Sequence, residues 1–236
     1  MNNIIIYHGS RSGIKGLITP CSREKCDFGQ GFYMGTSKKQ VSGLVCYATS
    51  PKIYELKLNL SKIPEDKILK LQGLKWAFFV LYNRNRLNEI KNSAIYKLLS
   101  NLGNNKDIII GPIADDNMSL AITEFIKGKI TDVALYQSLK AIDYGIQYVA
   151  KSDFACENIE IIKENTISFN EKKEAINYSK QKRIDGHNVF ADTSLKYRRQ
   201  GMFFDELLEH ISKNKDWIPK SWKLSESEKK WSDSDH

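Results

Sequence analysis

The 236 residues predict an α+β fold. Two observations carry this. Short runs rich in Ile, Val, Leu and aromatic residues, of strand length, recur along the first 170 positions. Between them lie stretches with helical periodicity, several opened by Ser or Thr and one closed by Gly. No internal repeat is present. From Asn170 the pattern changes to charged and polar sequence, which predicts a domain over 1–169 and a helical, partly irregular extension over 170–236.

The elements follow in order. Asn3 to Tyr7 contains Ile4-Ile5-Ile6 and reads as a buried strand. Ser10 to Cys26 is a loop with Gly13, Gly16 and Pro20, long enough to point to function. Gly31 to Gly35 is a short strand, and Thr36 or Ser37 caps a helix reaching Ala48. Lys52 to Leu60 alternates, with Tyr54, Leu56 and Leu58 on one face of a strand. Pro64 to Leu71 fits a short helix with Pro in its first turn. Trp76 to Arg86 is an aromatic helix ending on Arg84 and Arg86, and Ser93 to Leu102 is a helix that stops at Gly103. Asp107 to Ile113 reads as a strand, Asn117 to Phe125 and Thr131 to Ile142 as helices, and Gly145 to Ala150 as a strand. Ser152 to Cys156 forms a helical turn and Ile159 to Phe169 a last strand. Beyond it, Glu171 to Arg183 is a charged helix, Ile184 to Arg199 is irregular and Met202 to Ile211 is a short amphipathic helix. Trp217 to His236 is expected to be mobile, with Trp217, Trp222 and Trp231 as docking points.

Composition narrows the class. At 41% hydrophobic and 27% charged, the chain is an ordinary globular one. No apolar run approaches the roughly 20 residues that span a bilayer. Met1-Asn2-Asn3 enters a strand without a basic region, so a cytoplasmic protein with no membrane partner is expected. Cys21, Cys26, Cys46 and Cys156 lack zinc-site spacing and read as free thiols, with no metal implied. The net charge of +8 favours polyanionic partners. Residues 171–236 hold 14 basic and 12 acidic residues, a net of +2, so most of the excess, +6, sits on the first 170.

Two motifs organise the chain. Tyr7-His8-Gly9-Ser10 ends the first strand, and Asp27-Phe28-Gly29-Gln30-Gly31-Phe32-Tyr33 leads into the second. Glycines let backbone groups approach the edge of a flat polar ring, and tyrosine offers a stacking face. The pair resembles the NAD-binding signature of ADP-ribosyltransferases, in the branch of diphtheria toxin and the poly(ADP-ribose) polymerases with its His-Tyr-Glu triad. More narrowly, the chain is similar to bacterial toxin-like ADP-ribosyltransferase domains, through Asp107 to Asp115 and Gly145-Ile146-Gln147-Tyr148 as third and fourth motifs. The resemblance covers roughly Asn3 to Phe169.

That resemblance implies a split pair of antiparallel β-sheets flanked by helices, with NAD as co-substrate. It implies that Gly9 backbone groups hold the carboxamide and that His8 bonds the adenine-side ribose. Tyr33 would stack on the nicotinamide, with Ser10, Gly31 and Phe32 around it. Tyr47, on the predicted helix, would be either a second ring or a core tyrosine. Where the superfamily carries Glu, this chain carries Gln147, which can bond a ribose hydroxyl but brings no negative charge. Asp115, Asp116, Asp143 and Glu157 are the alternative acids. Asp115-Asp116 reads first as a helix cap before Asn117 to Phe125, with a site role as the alternative. Arg84 and Arg86 are either anion ligands or a solvated helix end. His187 and His210 have no evident partners in the sequence.

Two functions are therefore expected to compete. One is a mono-ADP-ribosyltransferase, the toxin of a toxin–antitoxin or phage-defence system. It would modify nucleic acid, RNA by preference, or protein, and would have an antitoxin partner. The other is a catalytically inactive NAD- or nucleotide-binding module acting through protein contacts.

Overall fold

The computed structural model describes residues 3–114, 116–141 and 145–213. Among these residues, seven strands form one mixed sheet in the order β4-β5-β6-β2-β1-β3-β7. They are β1 (Asn3–Ser10), β2 (Phe32–Gly35), β3 (Lys52–Asn59), β4 (Ile68–Lys70), β5 (Ile108–Pro112), β6 (Ile146–Ala150) and β7 (Ile159–Thr166). β4 and β5 run parallel, and the other neighbours antiparallel. The expected pair of separate sheets is thus a single sheet with a narrow seam. β1 pairs with β3 along all eight residues, but with β2 only at Tyr7 and Gly35. β2 turns away to pair with β6 from Phe32 to Gly35.

Eight helices among the described residues accompany the sheet: α1 (Lys38–Val45), α2 (Gly73–Asn83), α3 (Ala94–Leu102), α4 (Asp116–Ile126), α5 (Asp132–Ala141), α6 (Asp153–Glu157), α7 (Phe169–Lys196) and α8 (Phe204–Lys213). The largest core lies between one sheet face and α2 to α5, around Trp76, Phe78, Phe125, Ile109 and Val149. α8 joins it through Phe204 and Leu207. The opposite face buries Ile6, Phe32, Met34, Tyr54, Leu56 and Leu58 under Ile63, α6 and the long loop after β1. That loop is tied down where Ile14 N donates to Tyr54 Oη at 2.9 Å. α1 forms a third, small core with Ile53.

Local signals explain most boundaries. Ser37 caps α1, Ser93 caps α3 and Ser152 caps α6, each accepting from a backbone N–H three residues on. In β3, Tyr54, Leu56 and Leu58 are buried as the alternation requires. Three expectations are corrected. Residues 64–71 hold a single 3-10 turn and then β4, because Ile68 to Lys70 find backbone partners in Ile108 to Ile110. β1 is buried on one face only: Ile6 is inaccessible while Ile5 is half exposed. Residues 184–196 continue the helix, which runs 28 residues through Gly186. A mid-helix Gly costs about 1 kcal/mol, offset here by packing: Gly186 is buried, and α7 lies across α1, α4 and α5. Asn117 Nδ2 donates to Arg183 O at 2.9 Å, and the Ser138 and Thr193 hydroxyls meet at 2.6 Å.

Asp115, Asp143 and residues 217–236 lie outside the described residues. Among the described residues, no helix is long and apolar enough to cross a membrane, and no group of His, Cys, Asp and Glu could hold a metal ion. The four cysteines are free thiols.

Candidate functional site

The seam between β1 and β2 is where the two leading motifs meet. His8 Nδ1 lies 2.7 Å from Tyr33 O. A carbonyl only accepts, so Nδ1 carries the proton and Nε2 presents its lone pair. The imidazole stacks on Phe32, with centroids 4.3 Å apart, and Tyr54 stands 6.2 Å away. Burial pushes the His8 pKa below its ordinary value, against the opposing pull of the Tyr33 carbonyl. At neutral pH the ring is therefore neutral, a hydrogen-bond acceptor at Nε2.

Successive residues of a strand face opposite sides of the sheet. The His8 and Phe32 rings occupy one face, and the Tyr33 ring the other, against the core that holds Phe28 and Val149. The two motif rings are neighbours through the backbone rather than facing jaws of one clamp. Tyr33 Oη donates to Gly29 O at 2.7 Å and accepts from Phe28 N at 2.9 Å. Burial, more than any charge, raises its pKa far above the ordinary value. Tyr33 thus also fastens the turn that precedes it.

The glycines of the motifs are needed for space. A Cβ on Gly31 would lie 2.5 Å from Val149 Cγ1 and 2.8 Å from Ala150 O. One on Gly9 would crowd Val41 and Val45 of α1, at 3.0 to 3.1 Å. Gly29 has φ +74, a left-handed conformation that other residues adopt at a cost. Ser10 ends β1, where its hydroxyl accepts from Ser12 N. Tyr47 lies past the end of α1 and is 64% exposed, which excludes the core reading. It stands two residues beyond Val45, the residue that lies against Gly9.

Gln147 sits on β6, on the Tyr33 face, and is 5% exposed. Its Nε2 donates to Asp27 Oδ2 at 3.0 Å and to Pro112 O at 2.9 Å. Asp27 is the hub of this region. Its Oδ1 accepts from Arg84 Nε and Nη2 at 2.9 and 2.6 Å, and its Oδ2 also accepts from Ala114 N. Arg84 Nη2 bonds Ala114 O, and Nη1 bonds the Ser119 hydroxyl. Arg84 is therefore neither a solvated helix end nor an unengaged anion ligand; it neutralises a buried carboxylate. Asp27 and Arg84 stand 57 positions apart, and no local signal joins them. A carboxylate inside a glycine-rich motif, followed by buried aromatics, was the one hint.

A second cation holds the same turn. Lys151 Nζ donates to Phe28 O at 2.6 Å and to Gln30 O, and burial pulls its pKa down to about 8. Of the alternative acids, Asp116 opens α4 and Glu157 is exposed at the end of α6. His187 is exposed on α7, and His210 lies in α8. A cavity of about 460 Å³ lies between α1 and α7, lined by Lys38, Ser42, Ile53, Asn165 and Tyr178, and it contains none of the motif residues.

Residues 4–161 match the model of a family described as a protein of unknown function, DUF3990. The chain belongs to this family. The match holds both motifs, the Asp27 hub and Gln147, and ends within β7, so α7 and α8 fall beyond it. No curated protein and no solved structure matches the chain.

Proposed function

We propose that this DUF3990 protein is an NAD-dependent mono-ADP-ribosyltransferase, the toxin of a bacterial toxin–antitoxin or phage-defence pair. The observation that carries the reading is the His8–Tyr33 link. It joins the two motifs across a seam that β2 leaves after one residue pair, and it leaves Nε2 free to accept. A ribose hydroxyl is a suitable donor to Nε2. Gly9 follows His8 on β1 and offers a polar backbone edge, and the exposed Tyr47 ring, just past the end of α1, offers a stacking face for the nicotinamide.

The reaction needs little from the protein beyond positioning. The C1′–N bond of the nicotinamide ribose breaks and its electron pair leaves with nicotinamide. The ribose gains oxocarbenium character, and an acceptor oxygen or nitrogen forms the new bond at C1′ and loses a proton. Asp27 is bonded to Gln147, but Arg84 neutralises it and its oxygens accept four N–H groups. The proton therefore passes to the acceptor molecule's own base or to solvent. Gln147, buried on the sheet face opposite His8 with both amide protons engaged, would act as a positioning residue that holds Asp27 and Pro112 in place.

A second reading draws on the same residue. Gln147 is buried and spends its amide on Asp27 and Pro112, a structural use that suits a module binding NAD without transferring it. Incubation with NAD labelled in its adenylate phosphate, alongside RNA, DNA and cell protein, separates the two. Label on a macromolecule, lost with His8→Ala, supports transfer. Binding of NAD by calorimetry without label transfer supports the module.

A further inference from the structure

A cavity of about 270 Å³ opens between the loop before β2, the end of α2 and α4. Lys25, Arg84, Arg86, Ser119 and Thr123 line it over an apolar floor, and among the described residues no carboxylate stands on its wall. Asp27, behind Arg84, cancels one of the three charges. Lys25 and Arg86 are exposed, and neither forms an ion pair among the described residues. The nearby carboxylate of Glu124 is taken up by Lys127 and Lys129. Glu24, next to Lys25 in the chain, is exposed.

The geometry that brings the cations together is fixed. Lys25 lies two positions before Asp27, and Arg86 two positions after Arg84. The Asp27–Arg84 pair thus clamps both segments at one place. Asn85 turns the chain with φ +58, and Arg86 N is held by Leu81 O at 2.9 Å. A left-handed Asn just past the C-cap is a common way to end a helix, and here it fixes where Arg86 leaves α2. Two like charges held in a concave wall without a counter-charge focus a positive potential. Arg and Lys with hydroxyls are the groups that bind phosphate.

We propose that this cavity is a phosphate subsite, and that the phosphate it takes belongs to a single-stranded polynucleotide. The volume lies at or below the small end of cavities that enclose a whole ligand, so it suits one phosphate group whose neighbours pass outside. The net charge of +8 draws a polyanion to the surface at long range. This subsite does not depend on the NAD reading, and its test uses no NAD in the first arm.

Fluorescence anisotropy with a short labelled single-stranded RNA compares wild type, K25Q/R86Q and the control pair K62Q/K163Q. The control removes two exposed charges elsewhere. Neither variant touches the Asp27–Arg84 pair, so both should keep the wild-type melting temperature. K25Q/R86Q should bind RNA about ten-fold more weakly, and its log K against log salt should be shallower by about 0.7 for each phosphate that the protein ceases to neutralise. The control pair should change binding less than about two-fold. Equal weakening by the two pairs, or no RNA binding by wild type, would overturn the subsite. A calorimetric arm with NAD settles the source of the phosphate. Weaker NAD binding by K25Q/R86Q with unchanged RNA binding would assign the cavity to a dinucleotide and overturn the polynucleotide reading.

Discussion

Tyr33 carries two roles that one substitution can separate. Its hydroxyl holds the turn at Phe28 and Gly29, while its ring packs against the core with Phe28 and Val149, on the sheet face opposite His8. Tyr33→Phe should destabilise the fold by about 1–3 kcal/mol, since the variant loses two hydrogen bonds of a largely buried group, yet leave NAD affinity within about two-fold, because the ring keeps its place and lies on the sheet face away from His8. Thermal melting and calorimetry on the same sample check both halves. Gly31 is a packing position whatever binds nearby. Gly31→Ala pushes Val149 and a β6 carbonyl and should cost about 1–3 kcal/mol, read as a lower melting temperature. His8 gives a pH signature. Its folded pKa is lowered, so below the ordinary 6.5 the unfolded chain takes up a proton first. Stability should therefore fall as pH drops from 6.5 toward the lowered folded value, and His8→Gln should flatten that segment of a stability-against-pH profile. An unchanged profile would mean that His8 is solvated.

At the scale of elements, the Asp27–Arg84 pair decides how the turn before β2, the end of α2 and β5 to α4 fit together. Asp27→Ala leaves the guanidinium half-buried with its carboxylate gone. Because Arg84 keeps 27% side-chain exposure, a loss of about 2–3 kcal/mol is expected, below the figure for a fully buried pair. Chemical denaturation measures it, and a loss near zero would show that water replaces the carboxylate. Ser168 caps α7 in a reciprocal box with Glu171: Glu171 N donates to the Ser168 hydroxyl and Ser168 N to the Glu171 carboxylate. Ser168→Ala should cost about 1 kcal/mol, read by the same denaturation. These two cases show what was legible in the sequence and what was not. Caps are local, so Ser37, Ser93 and Gly103 mark their helices, and Ser168-x-x-Glu171 was there to be read. β4 escapes a sequence reading because three residues become a strand only when β5 lies beside them. The helix through Gly186 escapes it because its compensation comes from α1, α4 and α5. The motifs placed His8 and Tyr33 on adjacent strands. They held no sign that Gln147 and Arg84 converge on Asp27, since that depends on pairs 57 and 120 positions apart.

Across the whole molecule, the sheet is divided by what its parts rest on. One side of β5, β6 and β2 packs on the large helical core and β1 and β3 pack on the smaller ones; between β1 and β2 the backbone ladder is one residue pair, and the His8 imidazole and the shared core of Ile6, Phe32, Met34 and Leu56 complete the join. A seam of this kind is where a ligand can enter a sheet without breaking a long ladder of hydrogen bonds. The claim that NAD enters there is tested most directly by calorimetric titration of NAD into wild type and His8→Ala, both shown folded by melting. Saturable binding that His8→Ala weakens by at least about ten-fold, the scale of one hydrogen bond to a well-placed acceptor, is the predicted result. Binding of equal strength in both proteins, or none in either, would contradict it.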